Sequence, residues 1–115
     1  MTKTAVRRAL VALLLVLVSA AALAQSNAMK TLQGKVLGSG DAPLSGAIVY
    51  LEDGKTNDIR SFISTDDGSY RFGQLSSDID YQVWARYKNE KSPTKPISSY
   101  DSRKQVVIDL HIKTK

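Results

Sequence analysis

From Thr31 onward, short apolar runs alternate with clusters of turn-forming residues at a spacing of roughly 8 to 12 residues, the rhythm of an all-β sandwich or barrel. No stretch carries an apolar period of helical spacing, so no helix is predicted. The alternation is clearest over 81–87, where Tyr81, Val83, Ala85 and Tyr87 share one strand face and Gln82, Trp84 and Arg86 share the other. The same two-residue period turns Ala47, Val49 and Leu51 inward and Ile48 and Tyr50 outward. It also sets Val106, Ile108, Leu110 and Ile112 against Val107, Asp109 and His111 in a single closing strand.

Seven strands are predicted, over residues 32–37, 47–51, 59–64, 70–72, 81–87, 95–98 and 105–112. Gly38-Ser39-Gly40-Asp41-Ala42-Pro43, Asp53-Gly54 and Asp66-Asp67-Gly68 supply turns, because Gly and Asp tolerate positive φ and Pro fixes it. Pro96 cannot donate a ladder hydrogen bond, which places the sixth strand at a sheet edge. The phase of the third strand stays open, since Ile59 and Ile63 compete with Phe62 for the interior.

The first 24 residues follow a different plan. Lys3, Arg7 and Arg8 precede an unbroken apolar run from Ala9 to Val18, and Ala22-Leu23-Ala24 is a small-x-small exit. That is the layout of a cleaved export signal, with an uncleaved anchor as the alternative; the apolar run falls short of the ~20 residues that a spanning helix needs. The expected organisation is a signal peptide over 1–24, a flexible leader over 25–30 and one domain over 31–113, giving a periplasmic or secreted protein without stable membrane insertion. No cysteine is present to carry a lipid or a disulfide, so packing alone must hold the domain. Cleavage also changes the charge, from 16 cations against 11 anions to 13 against 11, a net +2. Nucleic acid is therefore not expected as a partner.

Three segments in order resemble the carboxypeptidase regulatory-like domain family: Ala42-Pro43-Leu44-Ser45-Gly46-Ala47-Ile48-Val49-Tyr50-Leu51, then Thr65-Asp66-Asp67-Gly68-Ser69-Tyr70-Arg71-Phe72 with Leu75, then Asp80-Tyr81-Gln82-Val83-Trp84-Ala85. Ser45 replaces a usual proline, and Thr65 stands where many members carry aspartate. The resemblance implies a seven-stranded antiparallel Greek-key β-sandwich of the prealbumin (transthyretin-like) type, with the second, third and fifth strands side by side in one sheet.

Catalytic groups are sparse. There is no cysteine, and the one histidine, His111, falls on the outward side of a strand at i+2 from Asp109. Zinc lacks ligands, and no phosphate loop or dinucleotide fingerprint occurs. Asp66, Asp67, Asp78 and Asp80 lie near turns where calcium could be held, but Asp also favours turns for its own backbone hydrogen bonds, and no metal or cofactor is expected. An internal Lys–Asn cross-link is not expected, because the last strand offers no Asn. The reading is a non-catalytic exported binding or structural module of the cell envelope, or alternatively a carbohydrate-binding domain. Its candidate contact residues for a protein or glycan partner are Tyr50, Phe62, Trp84 and Arg86 on an outer sheet face. A second candidate is the polar loop over 98–104, with Tyr100, Asp101 and Arg103.

Overall fold

The computed structural model describes residues 29–114, so the expected signal peptide and residues 25–28 of the expected leader lie outside the described residues. Nine strand segments follow in chain order: β1 Met29–Leu37, β2 Ile48–Asp53, β3 Ile59–Ile63, β4 Ser69–Ser76, β5 Tyr81–Tyr87, β6 Glu90–Lys91, β7 Lys95–Ile97, β8 Gln105–Val107 and β9 Leu110–His111. A 3-10 turn, Ser39–Asp41, joins β1 towards β2. One sheet has the order β4-β1-β8, with β9 also on β1; the other has the order β3-β2-β5-β6, with β7 also on β5. Counting β6/β7 and β8/β9 as two interrupted strands gives the seven of the predicted all-β sandwich.

Each interruption has a local cause. Ser92 lies between β6 and β7, where its Oγ accepts from Ala85 N at 2.8 Å while its own N–H donates to Ala85 O at 2.9 Å, so the edge stays tied to β5 across the break. Between β8 and β9, Ile108 N donates to Gln33 O at 2.9 Å and the Ile108 carbonyl turns in against β1. Gly34 makes that approach possible: a Cβ there would lie 1.8 Å from the Ile108 oxygen.

The closing strand departs from the expected antiparallel pattern. β8 and β9 run parallel to β1, with Leu32 opposite Val106 and Val36 opposite Leu110. The chain leaves β7 in one sheet and crosses to the other before β8, so it joins β1 in the same direction; the remaining strand pairs are antiparallel.

The core lies between the sheets, where Leu32, Val36, Val49, Leu51, Val83, Ala85, Val106 and Leu110 are buried with the rings of Tyr70, Phe72 and Tyr81. Burial of such side chains contributes about 1.5–3 kcal/mol each against chain entropy, the only large stabilising effect open to a cysteine-free domain. Polar groups inside are satisfied. Tyr81 Oη accepts from Ser76 N at 2.9 Å, and Ser64 Oγ accepts from Ala47 N and donates to Leu44 O. Met29 and Lys30, expected in the flexible leader, belong to β1, and Lys30 is buried, its Nζ donating to Ser98 O at 3.2 Å. A lysine can thread its apolar stem along a core and still reach a carbonyl at the rim.

Candidate functional site

The outer face of the β3-β2-β5-β6 sheet collects side chains from every strand. Register puts Tyr50 directly opposite Trp84, with Ser61 on the other side of Tyr50. In the next row Ile63, Ile48, Arg86 and Lys91 are successive neighbours; beyond the Tyr50–Trp84 row lie Ile59, Glu52, Gln82 and Pro96. Residues opposite each other share a face, so all of these point away from the core.

At the centre, the Tyr50 and Trp84 rings stack with centroids 5.6 Å apart and planes at 21°. Lys91 Nζ lies 5.5 Å from the Trp84 centroid. Because β2 and β6 flank β5 on opposite sides, Trp84 is held between the Tyr50 ring and the Lys91 ammonium. Apolar surface continues towards β3, where Ile48, Ile59 and Ile63 are 38%, 54% and 67% exposed. Towards β6 the face becomes cationic through Arg86 and Lys91. Tyr50, Trp84 and Arg86 are thus brought together as the alternation predicts.

Phe62 is not part of this face. It opposes Val49, packs against the core and meets Phe72 edge-on at 6.2 Å. The inward position was open in the sequence because apolar residues occupy both phases of the strand; pairing with β2 settles it, and Ile59 and Ile63 take the outside. Sequence reasoning also missed Lys91, whose two-residue strand is too short to show a period.

The second candidate region, over 98–104, is tied to its neighbours and to itself: the Ser98 and Lys104 carbonyls accept from Lys30 Nζ and Thr31 N, and Ser99 N donates to Asp80. Arg103 Nη2 and Asp101 Oδ2 are 2.7 Å apart, and the Arg103 guanidinium holds the Asp101 carboxyl at about 2, well below its usual range. Tyr100 is 94% exposed.

Among the remaining chemical candidates, the carboxylates of Asp67 and Asp80 bond backbone N–H groups. Asp67 caps its own turn through Thr65 Oγ1 and Ser69 N, which hold its carboxyl at about 2, and Asp80 accepts from Ser99 N at 2.6 Å. Asp66 meets Ser45 Oγ at 3.4 Å, and Asp78 N is bonded to Ser76 Oγ. Among the described residues no three His, Cys, Asp or Glu side chains converge on a point that could hold a metal. His111 faces Asp41, with Nε2 3.4 Å from Oδ1, instead of Asp109, whose Oδ1 accepts the Lys35 N–H at 3.0 Å.

Comparison with known proteins sets this architecture in context. The profile of the carboxypeptidase regulatory-like domain matches residues 31–113. No curated protein matches. Among solved structures, the major pilin subunit BcpA of Bacillus cereus (D312A form) superposes with a TM-score of 0.61 at 11% identity, over 76% of this chain and 30% of the pilin. The TIE protein of Bacillus anthracis gives a TM-score of 0.58 at 19% identity, over 75% of this chain and 16% of that one. Catechol 1,2-dioxygenase from Acinetobacter sp. ADP1 gives 0.56 at 13% identity, over 76% of this chain and 53% of the enzyme. The chain thus spans about half of the dioxygenase and less than a third of the pilin, and the similarity to each is one of fold. With the profile covering most of its length, the chain belongs to the carboxypeptidase regulatory-like domain family.

Proposed function

We propose that this chain is an exported, non-catalytic interaction module that grips a protein partner through the outer face built on Tyr50 and Trp84. The single observation that carries this reading is the stacked, partly buried pair, bordered by exposed isoleucines on one side and by Arg86 and Lys91 on the other. Aromatic residues and arginine beside apolar surface are the usual energetic centre of protein interfaces. The two cations suit a partner whose apolar contact is edged by carboxylates. The family and the pilin-like fold support a structural or interaction role. The dioxygenase fold neighbour lends an enzyme reading little weight, because this chain has one histidine, at the surface beside Asp41. Export rests on the tripartite segment over 1–24.

Protein is favoured over glycan by the arrangement around Trp84. A sugar ring stacks on an open aromatic face, whereas here Tyr50 and Lys91 flank the indole on both sides. Capture from a cell-envelope extract, with wild type, Trp84→Ala and Arg86→Glu as parallel baits, tests the proposal. A discrete protein retained by wild type and lost from both variants supports it, and equal recovery by all three counts against it. Titration with a glycan panel, read by the fluorescence of the sole tryptophan, should show no change; a saturable shift would favour the carbohydrate alternative.

A further inference from the structure

The two sheets present four lateral edges, and three of them carry features that oppose further pairing. β7 contains Pro96, and its junction with β6 is irregular around Ser92. The β8/β9 edge is broken at Ile108 and Asp109. β4 contains Gly73 and the positive-φ residue Gln74, and the Arg60 guanidinium lies 3.4 Å from Gly73 O. β3 is the exception. Ile59-Arg60-Ser61-Phe62-Ile63 has no proline, glycine or bulge, and among the described residues no strand pairs with its outer side.

The ladder phase shows which backbone groups are open. Ser64 N donates to Ala47 O at 2.8 Å and Asp53 N donates to Asp58 O at 2.9 Å, so the even-numbered residues of this segment turn their backbone towards β2. The N–H and C=O groups of Ile59, Ser61 and Ile63 therefore point to the free edge. The side chains of the same residues lie on the outer face.

This strand is close to a palindrome about Ser61. We propose that β3 pairs antiparallel with β3 of a second copy of this chain, about a two-fold axis at Ser61, and joins the two four-strand layers into one continuous sheet. The register then sets Ile59 against the second copy's Ile63, Ser61 against its own equivalent and Arg60 against Phe62. Each of these pairings is favourable or neutral: aliphatic against aliphatic, hydroxyl against hydroxyl, cation against ring, with no like charges opposed. The open N–H and C=O groups of Ile59, Ser61 and Ile63 would all be bonded in this register. A five-residue edge is small beside the standard interfaces of about 1,200–2,000 Å², so the association is weak and depends on concentration. It is independent of whether the Tyr50–Trp84 face takes a partner, although it would place two such faces on one surface.

Sedimentation velocity of the purified chain, from dilute to near-millimolar concentration, tests this directly. Wild type should move from monomer to dimer as concentration rises. Ile59→Lys combined with Ile63→Lys should remain monomeric, because the register sets lysine against lysine. Ile59→Lys combined with Ile63→Glu should regain the dimer, because the same register sets lysine against glutamate. Both positions are more than half exposed, and circular dichroism with thermal melting would confirm that both variants fold. A wild type that is monomeric throughout would overturn the proposal. So would a lysine–lysine variant that still dimerises, or a lysine–glutamate variant as monomeric as the lysine–lysine one.

Discussion

Tyr70 donates its phenolic hydrogen to the carbonyl oxygen of Ile108 at 2.6 Å, linking β4 to the break between β8 and β9 across the width of β1. Burial pushes the hydroxyl above its ordinary range, so it stays a donor at any physiological pH. Tyr70→Phe keeps the ring in the core and leaves that carbonyl without its partner. The expected cost is about 1–3 kcal/mol, read as a lower urea midpoint with an unchanged slope.

The same carbonyl depends on Gly34. Gly34→Ala puts a methyl group where the Ile108 oxygen lies, and the obstacle is backbone, which cannot rotate aside as a side chain would. A loss of about 3 kcal/mol or more is expected, at the upper end of overpacking costs. Thermal unfolding of Gly34→Ala beside Gly73→Ala checks this, because nothing lies near the Cβ position of Gly73.

The opposite positions of Phe62 and Ile63 on β3 give a direct comparison. Phe62→Ala should cost about 2–4 kcal/mol, since the side chain packs on Phe72 and the core. Ile63→Ser should stay within about 0.5 kcal/mol, because the side chain is 67% exposed. Equal losses by chemical denaturation would reverse the inside-outside assignment.

Acid stability follows from Asp67 and Asp101. Hydrogen bonds from Thr65 and Ser69, and from Arg103, lower the folded-state carboxyls from 3.8 to about 2. The stability they add is fully present above about 3.8 and is lost as pH falls towards 2. Asp67→Asn and Asp101→Asn should flatten the fall in melting temperature over that window and lower it little in acid.

Much of the sandwich is legible in the chain because alternation reports burial residue by residue: Val49, Leu51, Tyr81, Val83 and Ala85 are buried as their phase requires. What stays hidden is what alternation does not encode. A strand has the same pattern whether it runs parallel or antiparallel to its neighbour, so the direction of β8 and β9 beside β1 could not be read. The phase of β3 was ambiguous because Ile59, Phe62 and Ile63 put apolar groups on both faces. Lys30 looks like leader because its burial depends on Ser98, far along the chain. For the candidate site, Tyr50, Trp84 and Arg86 follow from strand phase alone, whereas Lys91 over the indole needs the edge strand in place.

Trp84 itself gives a spectroscopic prediction. Lys91→Ala removes the cation above the indole at an exposed site, where such contacts are worth about 0.5–1 kcal/mol, so stability should change little while the emission of the sole tryptophan shifts. Tyr50→Ala should shift the emission further, because it removes the stacked ring.

Site-specific photo-crosslinking in expressing cells tests the proposed binding face most directly, with the photoreactive residue at Ile48 beside the Tyr50–Trp84 stack and, as a control, at Val107 on the outer side of the other sheet. Discrete protein adducts from position 48 and none from position 107 are the predicted result. Adducts of equal kind and yield from both positions, or none from position 48, would contradict the account.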